Sequence, residues 1–205
     1  MKGELFKTGI LKWTLVLACL LFLMFWYVKA DQKITVVEGA SSQAWLIPYE
    51  DAESLTNDVD LVVTGTVMPG MSQTISIPSV AGGSRHYTAT EIKVEQVLKN
   101  NGQAAENQTL PIVEPTYIID KGLVPGKIEF PLEHYRKALP GGKYLLFLKW
   151  SDNLQKYWVH AGYQGKYNLD GKDVREMELS VEIPKYVQLK EKVKQKYNQV
   201  WGMDH

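Results

Sequence analysis

Lys143–Trp150 reads KYLLFLKW, the strongest strand in the chain. Tyr144, Leu146, Leu148 and Trp150 share one face of it, and Leu145, Phe147 and Lys149 share the other. Pro140-Gly141-Gly142 breaks the chain before it, and Ser151–Gln155 supplies a hairpin loop after it. Lys156–Ala161 (KYWVHA) then returns as a second strand, and a further strand region lies around Lys166–Leu169. This C-terminal hairpin sets the expectation of a sheet protein.

Working back toward the N-terminus, Asp60–Val67 (DLVVTGTV) is a β-branched run suited to a buried strand. Met68–Arg85 is rich in Gly, Ser and Pro and predicts a long loop or a frayed hairpin. In His86–Lys99 (HYTATEIKVEQVLK), Ile92 and Val94 oppose Lys93 and Glu95. The apolar set changes face at Val97, which predicts a β-bulge near Glu95-Gln96. Asn100–Asn107 reads as a polar turn, and Thr109–Val113 and Tyr117–Ile119 as short strands. Pro131–Leu139 (PLEHYRKAL) predicts a short internal helix. Nearer the start, Lys33–Val37 suits a short strand and Pro48–Asn57 a helical turn with Glu50, Asp51 and Glu53 at its positive end.

The C-terminal segment changes period. Tyr186, Leu189, Val193, Tyr197 and Val200 recur at spacings of three and four, with Pro184 in the first turn and Gly202 past the end. That predicts an amphipathic helix over 184–205, packed on a mainly β domain spanning 58–183. Residues 31–57 read as a juxtamembrane linker and entry segment.

The first thirty residues fix location. A basic stretch with Lys2, Lys7 and Lys12 precedes sixteen uncharged residues, Trp13–Val28, and Lys29 follows. Sixteen helical residues rise about 24 Å, short of a hydrocarbon core of about 30 Å; counting from Thr8 brings the rise to about 31 Å. Lys12 can then snorkel to the headgroups, and Trp13 and Phe25-Trp26-Tyr27 lie where aromatic belts form. These features favour a retained membrane helix through residues 8–28, with the N-terminus inside and the domain outside. Val28-Lys29-Ala30 keeps open the alternative of cleavage after Ala30 and secretion, and Cys19 fits a lipidation box poorly.

Lys+Arg and Asp+Glu number 23 each; residues 1–30 hold four and one, leaving 19 against 22. A mildly acidic domain argues against a nucleic-acid partner. Cys19 is the single cysteine, so the exported part has no disulfide, thiol nucleophile or thiolate metal site. His86, His134, His160 and His205 form no HxH or HExxH pattern, which gives no metal or cofactor site. No GxSxG occurs, Gly162–Gly165 followed by Lys166 lacks phosphate-loop spacing, and Asp170–Asp173 reads as a β-turn. The lysines of 184–201 read as a solvated face.

What stands out is an aromatic concentration between Tyr144 and Tyr167. Trp150, Trp158 and Tyr163 are its candidate ligand-binding residues; Trp158, opposite Tyr157 and Val159, is expected to be the most exposed. The expected function is non-catalytic binding of a protein, peptide or envelope polymer. The alternatives are an envelope hydrolase assembled from distant residues, or a structural accessory subunit of a membrane complex. A cleft placing His86, His134 or His160 within hydrogen-bond reach of a carboxylate and a hydroxyl would overturn the non-enzyme expectation and mark a hydrolase.

Three segments carry a family resemblance: Val63-Thr64-Gly65-Thr66-Val67, Val94–Lys99 (VEQVLK) and Gly142–Leu148 (GKYLLFL). Their layout resembles the netrin-like or tissue-inhibitor-like OB barrel, as it occurs in small exported bacterial domains, over about Asp60–Leu169. The resemblance implies a closed or partly open β-barrel of five or six strands used for binding. The disulfides and N-terminal cysteine of the animal members are absent, so protease inhibition is not carried over.

Overall fold

The structure is a computed structural model describing residues 2–37, 48–78, 84–101, 106–132 and 134–201. Residues 38–47 of the expected linker, Gly82-Gly83, Glu133, Gly202 and His205 lie outside the described residues. The elements begin with α1 (Lys2–Asp31), β1 (Ile34–Val36), α2 (Ala52–Asn57), β2 (Leu61–Pro78), β3 (Ser84–Asn100) and β4 (Thr109–Glu114). They continue with β5 (Thr116–Asp120), β6 (Lys127–Pro131), β7 (Lys143–Ser151), β8 (Lys156–Val159), β9 (Lys166–Asn168), α3 (Val174–Glu182) and α4 (Pro184–Lys196). The chain is mainly β and forms two compact units: Met1–Val36 with Ile118–Glu129, and Val37–Tyr117 with Phe130–His205.

In the smaller unit, α1 contains one span, Trp13–Asp31, long and apolar enough to cross a membrane. β1 follows it and pairs in parallel with β6, Ile34 against Lys127 and Val36 against Glu129.

The larger unit is built on one curled sheet of order β2-β3-β4-β8-β7-β9, in which β2 also pairs with β7. Among the described residues of this sheet only β4 and β8 run parallel, joined by Ile112 to Tyr157 and Val113 to Trp158. With two residue pairs at that seam the barrel is not closed along its length.

β7 explains why one sheet needs two cores. Tyr144, Leu146 and Leu148 point to an inner cluster with Leu61, Val63, Ile92, Val94, Ile112 and Tyr157. Leu145 and Phe147 point outward to Leu55 of α2, Leu179 of α3 and Tyr186, Leu189 and Val193 of α4. Both outward residues are fully buried, each contributing about 1.5–3 kcal/mol relative to exposure. The stripe expected at the C-terminus is this second layer, with Tyr186, Leu189, Val193, Tyr197 and Val200 all buried. The α-helix is shorter than expected: it ends at Lys196, Tyr197 caps it and Val200 lies in a following 3-10 turn.

One further expectation is corrected. Pro131–Leu139 is not a helix: Pro131 ends β6, and 134–139 is turn and irregular chain. The buried Glu114 carboxylate draws this segment in, accepting from Tyr135 Oη at 2.8 Å and the Ala138 amide at 2.7 Å. In a helix that amide would serve the carbonyl four residues back, so satisfying a buried charge overrides propensity. Of the two alternatives for the Gly/Ser/Pro-rich stretch the structure has the hairpin: β2 and β3 continue as a long pair with Pro78 opposite Ser84. The register also slips where β3 residues Glu95 and Leu98 have no counterpart on β2, so the first bulge lies where the sequence placed it.

Candidate ligand-binding cleft

The ends of two hairpins border one open cleft of about 370 Å³. From β2–β3 come Ile77, Pro78, Arg85 and Tyr87; from β7–β8 come Lys149, Trp150, Ser151, Asn153, Leu154 and Trp158, with His160 just beyond. Antiparallel pairing sets Trp158 opposite Lys149 and Trp150 opposite Tyr157, so the two tryptophans leave opposite faces of the hairpin. Trp158 meets Tyr87 edge to face at 5.3 Å between ring centroids. Trp150 packs edge to face on Tyr157 at 5.1 Å, and its indole N–H donates to Asp152 at 3.0 Å.

The exposure order differs from expectation. Trp150 is the exposed indole, at 41 %, while Trp158 is half-buried. Trp158 is covered because the β2–β3 hairpin extends far enough to bring Tyr87 onto it. Tyr163 does not join the tryptophans: it lies in the 3-10 turn Gly162–Gly165 and packs on Tyr186, 5.9 Å between centroids. It lines a separate hollow with Tyr49, Gln164 and Lys185.

A polar cluster that no sequence motif announced stands at the cleft's edge. Asp58, just past α2, accepts from Lys149 Nζ at 2.7 Å and from the Tyr49 hydroxyl. His160 Nε2 lies 3.0 Å from the same carboxylate and 2.7 Å from Tyr49 Oη. Since the phenolic proton goes to Asp58, this network puts a proton on Nε2 and leaves the Nδ1 lone pair available in the neutral ring. Hydrogen bonds from Lys149 and then Tyr49 lower the Asp58 pKa to about 2. Burial depresses the His160 pKa, against the opposing pull of Asp58. Burial also raises that of the Tyr49 hydroxyl, with the Asp58 bond adding to it.

Backbone geometry holds His160 in place. Its amide bonds the Phe147 carbonyl at 2.9 Å, and Ala161 turns with φ 53°. A Cβ on Gly165 would stand 1.9 Å from the His160 carbonyl, so only glycine permits this closure. The sequence GYQGK is therefore a tight turn, as expected.

His160 does have a carboxylate and a hydroxyl in reach, the arrangement named above as the mark of a hydrolase. The hydroxyl, however, is a phenol already donating to Asp58. The aliphatic hydroxyl lining the cleft, on Ser151, sits four strand residues from Phe147, about 13 Å along β7. Of the other histidines, His86 bonds Ser76 Oγ at 2.8 Å, and His134 is exposed at φ 60°. Among the described residues no group of three His, Cys, Asp or Glu side chains could hold a metal.

A larger hollow lies elsewhere, and most of its charges are paired: Lys143 lies 3.1 Å from Glu95 and Lys172 lies 3.7 Å from Asp170, with Lys194 also on its wall. In the tryptophan cleft, by contrast, the Arg85 guanidinium makes no hydrogen bond or ion pair among the described residues. No family model and no curated sequence matches this chain.

Proposed function

We propose that this chain is a membrane-tethered, extracytoplasmic binding domain of the OB-like type that takes an anionic oligosaccharide or a related envelope polymer in the tryptophan cleft. The observation carrying this reading is the cleft's position, between the first hairpin and the last hairpin of the curled sheet. In OB folds those two loops, with the adjoining sheet face, bind oligosaccharides and oligonucleotides. The parallel pairing of β4 with β8 and the return of β7 to β2 support the same assignment. Arg85 and Lys149 are the cleft's arginine and lysine side chains, and Lys149 is paired with Asp58. The cleft thus offers one guanidinium to a single acidic substituent and no basic track for a polynucleotide backbone. The exposed part of Trp158, backed by the buried Tyr87, offers apolar surface to a sugar ring, and Arg85 is placed to meet an acidic substituent.

Titrating the protein with fragments of an anionic cell-wall glycan, followed by tryptophan fluorescence, tests this. Binding is expected to change the emission, and Trp158→Ala is expected to weaken it about tenfold, in line with about 1.4 kcal/mol of lost ring contact. A saturable response that Trp158→Ala and Arg85→Ala leave unchanged would move the ligand elsewhere, and no response would remove the glycan.

One observation favours a catalytic second reading: Asp58 on Nε2 leaves His160 Nδ1 unprotonated at neutral pH, as a general base requires. Hydrolysis of the same glycan fragments, abolished by His160→Gln, would establish it.

A further inference from the structure

The smaller unit carries apolar surface that its own packing leaves bare. In the connection between β5 and β6, Leu123 is 96 % exposed and Val124 62 %, with Ile119 at 47 % nearby. This loop is fastened to the end of α1. The Tyr27 hydroxyl donates to the Leu123 carbonyl at 3.4 Å, and the Gly126 amide donates to Asp31 Oδ1 at 3.2 Å. The Lys127 amide reaches the Lys33 carbonyl at 2.9 Å, extending the clamp into the β1–β6 pairing. Gly126 makes the approach possible: its φ is 105°, and a Cβ there would stand 3.2 Å from the Lys33 carbonyl.

Level matters more than proximity. Helical side chains lean toward the helix N-terminus, so the Tyr27 hydroxyl lies no further along the axis than its own Cα. Tyr27 is four residues before Asp31, about 6 Å back along the axis, and inside the apolar run. Leu123 therefore lies beside the closing turns of α1 and not beyond them. Lys29, Lys33, Lys121 and Lys127 flank the same place, and none is in an ion pair among the described residues. An apolar tip beside an apolar helix, flanked by lysines of which Lys29 lies over the Phe25 ring at 5.8 Å, matches the acyl-to-headgroup boundary of a bilayer.

We propose that the Asp120–Gly126 loop is a second membrane contact, inserting Leu123 and Val124 into the outer leaflet alongside α1 while the four lysines meet anionic lipid headgroups. The proposal rests on α1 being a retained membrane helix. It also gives that helix a structural role, because cleavage after Ala30 would remove Tyr27 and strand the loop in water.

The test uses the full chain carrying Cys19→Ser, with Leu123→Cys or, as reference, Leu21→Cys, each labelled with an environment-sensitive fluorophore. The proteins are reconstituted into phosphatidylcholine–phosphatidylglycerol vesicles containing nitroxide lipid. Both positions are exposed, so neither change opens a core. Blue-shifted emission and nitroxide quenching at both sites are expected, with the Leu123 label quenched more strongly by a shallow nitroxide than by a deep one. If the Leu21 label responds to lipid and the Leu123 label responds only to aqueous iodide, the loop proposal falls and the membrane helix stands. If neither label responds to lipid, the membrane helix falls and the loop proposal with it.

Discussion

His160 is the residue whose charge state the fold alters most usefully. Its folded pKa lies below its unfolded value of about 6.5, because burial outweighs the attraction of Asp58. The folded protein therefore binds fewer protons than the unfolded chain just below pH 6.5. Stability from this group is present above that pH and declines as pH falls through the depressed folded pKa. An imidazole NMR titration is expected to place the His160 midpoint below 6.5, and Asp58→Asn to lower it further by removing the attracting carboxylate. A His160 midpoint at or above 6.5 would show that the carboxylate and not burial dominates. Asp58 itself, with its pKa lowered to about 2, contributes stability above about pH 3.9 that is lost as pH falls toward 2.

Between elements, the joint linking β9 to α3 concentrates buried charge. Lys166 Nζ lies 3.2 Å from Asp173 Oδ2, with the two side chains 1 % and 0 % exposed. Asp173 also accepts from Tyr144 Oη at 2.9 Å and caps α3 through the Glu176 amide. Burial alone would raise the Asp173 pKa, but Lys166, Tyr144 and Arg175 together bring it below the usual value. Lys166→Met is expected to cost up to about 3–5 kcal/mol, since it leaves the buried carboxylate with only the more distant Arg175, 4.0 Å away, as a cation. Lys166→Met combined with Asp173→Leu is expected to recover much of that loss, and urea unfolding of the two variants separates a charge effect from a packing effect. Gly165→Ala acts at the neighbouring turn: it drives a Cβ into the His160 carbonyl and is expected to lower stability and shift the His160 resonances together.

For the whole molecule, the central question is whether α1 stays attached. The clamp between Tyr27, Asp31 and the β5–β6 connection leads to the expectation that the mature protein keeps its first thirty residues. Mass spectrometry of the membrane-extracted protein checks this; a chain beginning at Asp31 would end the anchor reading. The strands were largely legible because alternation reports burial locally: KYLLFLKW, DLVVTGTV and the C-terminal stripe all lie where their periods put them. The short β6, KIEFP, lacks enough residues to show a period, and α3 hides its buried Glu176 and Asp173 behind polar letters. The apparent helix at Pro131–Leu139 failed because its sequence carries propensity but no sign of Glu114, a partner some twenty residues away.

The candidate cleft divides along the same line. Trp150 and Trp158 were visible as aromatic letters on a hairpin, and the apolar helix was visible as composition, since both are properties of neighbouring residues. That Arg85 and Tyr87 stand beside those tryptophans, that Tyr49, Asp58, Lys149 and His160 converge, and that Tyr163 belongs elsewhere, were decided only by the tertiary structure. A chain's local periodicity records which face is buried; it carries no record of which distant segments fold against that face.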